Sequence, residues 1–200
     1  MKFFEITGSL SGPILKITNW IKEAENDSVA LPHAMNVSTI NSEGRPSSRM
    51  VLLKRISSDG LVFFTDYDGN KGKQILKTPF VALTFWWAKT NKQIRIEGKC
   101  KKVSEQENND YFSSRPRGSQ ISASVSLQSQ ELDSYQALVE RSISFENQNK
   151  DIELPRPNRW GGFLVEPLSI EFWVDQKNRL HKREIHTFEN EKWIKKLLSP

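Results

Sequence analysis

The stretch Arg49-Met50-Val51-Leu52-Leu53-Lys54 sets four apolar residues between two cations. A run this apolar, followed by the turn signal Ser57-Ser58-Asp59-Gly60, predicts a buried strand whose charged ends emerge where an anion would neutralise them. Alternation along a strand sends Arg49 and Lys54 to opposite faces, so two cations that serve ligands would serve different groups. Ordinary strand-end charges reaching into water have the same appearance. The rest of the chain has to separate the two readings.

Outward from this strand, Met35, Val37 and Thr39 alternate before the turn Asn41-Ser42-Glu43-Gly44, which predicts a hairpin. Before it, Pro13 to Ala24 repeats Ile14, Ile17 and Ile21 at helical spacing with Pro13 in the first turn, an opening helix over 13–25 behind an N-terminal arm of residues 1–12. After it come a third strand (61–65), a short helix (71–77) stopped by Pro79, and a second hairpin from Phe80 to Trp87 and Gln93 to Val103. Ser104 and Glu107 have the spacing of a capping box and open a helix carrying Tyr111. Residues 113–130 read as a long polar stretch and 131–145 as a helix. Pro155 and Pro157 exclude regular structure from the loop that follows. Strands are expected at 161–166, 169–174 and 179–188, with a possible further one at 193–198. About eight strands with a few flanking helices describe a mainly β, barrel-like fold, and no linker divides residues 1–200 into more than one domain.

Composition narrows the function classes. The single cysteine, Cys100, permits no internal disulfide and no thiolate cluster, and no run approaches the roughly 18 apolar residues that span a bilayer. These features predict a soluble, cytoplasmic protein without a metal site. The net charge of +5 is spread among 24 acids without a block of like charge, which argues against nucleic acid as the partner. Walker, Gly-x-Gly-x-x-Gly and Gly-x-Ser-x-Gly motifs are absent, and only three histidines occur. A cofactor that brings its own electron chemistry would fill the gap left by the missing nucleophile.

Two clusters could carry chemistry. In Arg179-Leu180-His181-Lys182-Arg183 the strand period would place Arg179, His181 and Arg183 on one face, either around an anion or as the charged edge that discourages sheet pairing. In Tyr111-Phe112-Ser113-Ser114-Arg115-Pro116-Arg117-Gly118-Ser119-Gln120, arginine forks and hydroxyls are the donors a phosphate needs, although an exposed polar loop would look similar.

Taken together, these pieces resemble the pyridoxamine/pyridoxine 5′-phosphate oxidase family. The matching segments are 34–40, 49–54, Lys71 with Gln74-Ile75, Gln93, 111–120, Gln128-Ser129, Trp160-Gly161-Gly162-Phe163, Ile170-Glu171-Phe172-Trp173, 179–183 and the terminal Leu198-Ser199-Pro200. They cover about residues 13–200. The resemblance implies a split β-barrel whose homodimer binds FMN at the subunit interface. It implies flavin contacts from Arg49, Met50, Val51, Leu52, Leu53, Lys54, Phe64, Thr65, Lys71, Gln93, Gln128, Ser129, Trp173 and Arg183. Substrate contacts would come from Lys54, Tyr111, Arg115, Ser119, Arg179 and His181, with Arg179 and His181 nearest the reacting carbon. The implied reaction takes a hydride from C4′ of pyridoxine or pyridoxamine 5′-phosphate, with dioxygen as final acceptor and hydrogen peroxide released.

The chain departs from the family pattern in three places. Asn70 stands where an arginine is usual, Phe64 replaces a frequent tyrosine, and the arm lacks the usual Arg/Tyr segment. Phe3-Phe4-Glu5-Ile6-Thr7-Gly8 is instead similar to phenazine-pathway relatives. A phenazine-type flavin oxidase and a non-catalytic flavin- or pyridoxal-phosphate-binding barrel are the alternative readings.

Overall fold

The computed structural model describes residues 4–150 and 152–200. Met1 to Phe3 of the expected arm lie outside the described residues. The arm then contributes β1 (Glu5–Ile6), which the sequence did not suggest. It pairs in parallel with a second unexpected short strand, β4 (Arg55–Ser57), through Glu5↔Arg55 and Ile6↔Ile56.

The opening helix α1 (Gly12–Asn26) follows and buries Ile14, Ile17, Ile21 and Ala24, the stripe its periodicity predicts. The first hairpin is β2 (Ala34–Ile40) with β3 (Pro46–Leu52), and Met35, Val37 and Thr39 point inward. Next come β5 (Gly60–Asp66), α2 (Asn70–Lys77), and the hairpin β6 (Phe80–Trp87) with β7 (Lys92–Lys102). Three helices precede the C-terminal strands: α3 (Glu105–Ser114), α4 (Arg117–Val125) and α5 (Tyr135–Gln148). The chain ends with β8 (Trp160–Val174), β9 (Lys182–Glu189) and β10 (Lys192–Leu198).

Among the described residues ten strands join one mixed sheet in the order β1-β4-β5-β8-β7-β6-β2-β3, with β9 added to β8 and β10 to β9. The sheet curls into a half-barrel flanked by the helices. Eight of its strands are at least seven residues long.

β8 is the strand on which the sheet divides. Its first half lies between β5 and β7, and its second half between β7 and β9. The sequence suggests two strands here because Pro167 interrupts the pattern. The structure instead keeps one strand, with a register shift in which Gly98 faces Pro167 and Glu97 faces Ser169, leaving Leu168 as the extra residue. Proline is tolerated at such a bulge because the ladder is already broken there.

Three further expectations are corrected. The run 49–54 is not a core strand: β3 ends the sheet path, Met50 is 62% exposed, and only Leu53, beyond the strand, is fully buried. An edge strand needs its apolar residues only where something covers it. The polar stretch 113–130 contains α4, which starts after Pro116 and buries Ile121 and Val125. Arg179 lies in a 3₁₀ turn (Lys177–Arg179) at φ 62°, so it is outside the strand, and His181 precedes β9.

The main core runs from Ile17 and Ile21 of α1 through Val37, Phe85 and Ile94 to Phe172. A smaller cluster of Phe112, Ile121, Val125, Leu154 and Trp160 forms beneath α3 and α4. Gly161 and Gly162 make its close approach possible. A Cβ on Gly161 would meet the Tyr67 hydroxyl and Asn108, and Gly162 N–H donates to Asn108 Oδ1 at 2.8 Å.

Candidate active site

The edge of β3, the end of β5, the start of α2 and the helices over the smaller core enclose a cavity of about 300 Å³ lined by Met50, Val51, Leu52, Lys54, Phe64, Thr65, Lys71, Tyr111, Arg115, Gln128 and Trp160. Ten of these eleven residues are among the flavin and substrate contacts the resemblance implies. Trp160 is the exception.

Lys54 leaves β3 and lines the cavity because its backbone is fixed on both sides. Its N–H donates to Val62 O at 2.8 Å, and its carbonyl accepts from Glu5 N–H at 2.9 Å. Its side chain forms no ion pair among the described residues. Arg115 follows α3, and its guanidinium lies over the Trp160 ring at 4.5 Å from the centroid. Arg115 Nη1 is buried without a hydrogen-bond partner among the described residues. Burial, and then the charge of Arg115, push Lys54 down; burial also pushes Arg115 down, opposed by Tyr111. Two part-buried cations, one of them carrying an unsatisfied donor, form a receptor for an anion.

The wall of this receptor is aromatic. Phe64 stacks on Tyr111 at 4.0 Å and on Trp160 at 5.3 Å, with interplanar angles of 23° and 13°. Ser119 sits half-buried in the first turn of α4 and does not line the cavity.

A second polar cluster adjoins the first. Lys71 Nζ donates to Thr65 Oγ1 at 2.9 Å and to Gln128 Oε1 at 2.5 Å. Burial, reinforced by Arg49 and opposed by Asp66, pushes Lys71 down to about 8. Arg49 is held by Thr39 Oγ1 at 2.6 Å and Ser47 Oγ at 2.7 Å, and burial pushes its pKa down as well. Ser129 Oγ accepts from Asn70 N–H at 3.2 Å where α2 begins. Arg49 and Lys54 thus have different surroundings, one among hydroxyls and the other beside Arg115.

The remaining predicted residues stand elsewhere. Register places Trp86, Gln93, Trp173 and Arg183 in one row across β6, β7, β8 and β9. Thr84, Arg95, Glu171 and Ile185 form the next row on the same face. Trp173 meets Trp86 edge-on at 5.9 Å and lies 4.5 Å from His181. His181 Nδ1 is 2.9 Å from Asp175 Oδ1, while Arg179 is exposed. Gln93, Trp173, Arg179, His181 and Arg183 do not line the cavity around Lys54.

Trp160, part of a matching segment in the sequence, is the cavity residue to which sequence reasoning gave no role in the site. Its signal was an aromatic residue immediately before Gly161-Gly162, a pair that lets a neighbouring element approach the strand carrying that ring.

Residues 21–144 match the family model described as pyridoxamine 5′-phosphate oxidase. Residues 160–200 match the one described as the pyridoxine 5′-phosphate oxidase C-terminal dimerisation region. The pyridoxine/pyridoxamine 5′-phosphate oxidase of Psychromonas ingrahamii is 47% identical over 188 residues, 94% of this chain and 87% of that protein. Among solved structures, PhzG from Burkholderia lata 383 in complex with tetrahydrophenazine-1-carboxylic acid has a TM-score of 0.90 at 30% identity, covering 96% of this chain and 94% of that one. A pyridoxamine 5′-phosphate oxidase-related, FMN binding protein from Nostoc punctiforme shares the fold, with a TM-score of 0.79 at 14% identity over 96% of this chain and 100% of that one.

Proposed function

The chain belongs to the pyridoxine/pyridoxamine 5′-phosphate oxidase family, and we propose that it oxidises pyridoxine and pyridoxamine 5′-phosphates to pyridoxal 5′-phosphate, with FMN as cofactor and dioxygen as final acceptor. The observation that carries this reading is the receptor formed by Lys54 and Arg115, whose buried Nη1 lacks a partner among the described residues beside the rings of Tyr111 and Trp160. It suits a phosphate attached to a flat ring. Ser119, which the resemblance assigns to the phosphate, stands in the first turn of α4 outside the cavity lining.

FMN fits the second cluster. Arg49 and Lys71 offer charge to its phosphate, with Ser129 beside the start of α2. Thr65 and Gln128 offer hydrogen bonds to its polar edges, and Met50 to Leu53 offer backbone and apolar surface. When bound, the flavin supplies a hydride acceptor that dioxygen can reoxidise.

The chain's own residues bind, orient and exclude water. Lys54 and Arg115 fix the phosphate, and Tyr111 and Trp160 limit the tilt of the substrate ring, which places its C4′ carbon for transfer. Arg179 and His181 attend the polar groups near that carbon. Asp175 beside His181 Nδ1 and the ring of Trp173 favour one orientation of that imidazole.

A homodimer reconciles the separated residues. Trp173, Arg179, His181 and Arg183 lie within the segment matching the dimerisation region, and Met50 of the cavity is exposed. In this reading a second copy sets its β7-β8-β9 row against the Lys71 cluster, so each flavin site draws on both subunits. None of the described helices is long and apolar enough to cross a membrane, and the proposed setting is the cytoplasm.

The test is aerobic turnover of pyridoxine 5′-phosphate by the FMN-saturated protein, with pyridoxal 5′-phosphate followed as a Schiff base and peroxide measured in parallel. Equal formation of both products is expected. A flavin-loaded protein that yields neither would overturn the reading. The likeness to PhzG supports a second reading, a phenazine-type oxidase, which would turn over a reduced tricyclic acid and ignore the phosphorylated pyridine.

A further inference from the structure

Arg95 and Glu171 share the sheet face of Gln93, Trp173 and Arg183 but have no part in the reading above. Glu171 is only 5% exposed, in the second half of β8. Its Oε2 lies 3.0 Å from Arg95 Nη1 directly across on β7, and its Oε1 lies 2.7 Å from Arg183 Nε diagonally across on β9. Arg183 Nη1 also donates to the Ser199 carbonyl at 3.0 Å. We propose that Glu171 is a positioning residue for the cofactor: with Ser199 it fixes the Arg183 guanidinium in one orientation, while Arg95 holds Glu171 in place. The proposal rests on the function given above, in which Arg183 meets FMN.

The geometry favours orientation over mere stability. Burying a carboxylate is costly, and well-packed apolar residues generally stabilise a sheet as well as a buried ion pair does. Here both oxygens are occupied, each by a different arginine, and both arginines retain partial exposure. The Nε–H and one Nη1–H of Arg183 are committed within the chain, which leaves the Nη2 donors and the second Nη1–H for a ligand. An arginine without such a clamp would lose rotamer freedom on binding, and prior restraint removes that cost. The clamp also gives the terminal Leu198-Ser199-Pro200 a role, since its backbone closes one side of the fork.

A double-mutant cycle read by flavin-fluorescence titration tests this, using the full-length protein, Glu171→Gln, Arg183→Gln and the double variant. Glu171→Gln should weaken FMN about tenfold, the scale of one charge-assisted hydrogen bond. In the Arg183→Gln background the same change should cost little more. An equal loss in both backgrounds would make Glu171 a structural residue and overturn the proposal. If Arg183→Gln alone binds FMN like the parent, it is the assignment of Arg183 to the flavin site that fails, and the clamp fails with it. Should Glu171→Gln not fold, Glu171→Asp takes its place in the cycle and is judged by the same comparison.

Discussion

At the scale of single residues, the site is defined by cations, Arg49, Lys54, Lys71 and Arg115, that the fold holds without an ion pair among the described residues. Arg115 is the clearest, because Trp160 covers its face while Nη1 is left buried and unbonded among the described residues. Arg115→Ala is expected to raise KM for the phosphorylated substrate by an amount equivalent to about 1.5–3 kcal/mol, the range for a hydrogen bond to a charged group. Steady-state kinetics check this, and an unchanged KM would remove Arg115 from the phosphate site. Lys71 makes a prediction about pH. With its pKa pushed down to about 8 by burial and Arg49, it loses its proton just above neutrality. FMN affinity should therefore fall as pH rises above about 8 in the parent protein, and Lys71→Arg should flatten the dependence. Stability of the ligand-free protein runs in the opposite direction. The unfolded chain holds more protons than the folded one between about 8 and the ordinary lysine value, so Lys71 makes stability rise with pH across that window. Denaturant titrations of the parent and Lys71→Met at several pH values would show the slope in the first and not in the second.

At the scale of elements, α1 is tied to the C-terminal strands by one carboxylate. Glu184 of β9 accepts from Lys16 of α1 at 2.6 Å, from Lys195 of β10 at 2.7 Å, and lies 2.6 Å from His186 Nε2. Burial alone would push Glu184 up, but the bonds from Lys16, Lys195 and His186 outweigh it and hold the carboxyl at about 2. A carboxyl depressed in this way contributes stability that is complete above its ordinary value and lost as pH falls toward about 2. Glu184→Gln should lower stability at neutral pH by about 1 kcal/mol, the upper end for partly exposed pairs. It should also remove part of the parent's acid-induced loss, as acid-unfolding curves of the two would show. The sequence announced α1, both hairpins, α2 and α3 because their signals are local: isoleucines at helical spacing, alternation into a polar turn, and a capping serine that does accept from Glu107 N–H. It failed where tertiary context decides. Pro167 reads as a break until Gly98 is seen opposite it, α4 has only two buried apolar residues to mark it, and β1 and β4 are too short to show a period. The site followed the same division. Lys54, Tyr111 and Arg115 were legible as donor chemistry. Trp160 was not, because a ring that floors an arginine looks like any core aromatic until the two are brought together.

At the scale of the whole molecule, the bulged β8 divides the sheet so that its first half supports the cavity and its second half carries the Trp173 and Arg183 row. The proposed dimer joins the cavity of one copy to the row of the other, and symmetry gives this arrangement a signature that no monomer site can reproduce. In a two-fold dimer each site takes Lys71 from one copy and Arg183 from the other. Lys71→Ala should disable the first half of every site, and Arg183→Ala the second. Neither homodimer then retains an intact site. A mixed dimer contains one site with both defects and one with neither. Random pairing of equal amounts makes half the dimers mixed, so about a quarter of the wild-type number of competent sites should return. Co-expression of the two variants with different tags, isolation of the mixed species, and titration with FMN measure that return directly. Stoichiometric binding to one site per mixed dimer is the expected result. If the mixed species binds no more flavin than its parents, Lys71 and Arg183 serve the same copy or different ligands, and the shared site is wrong.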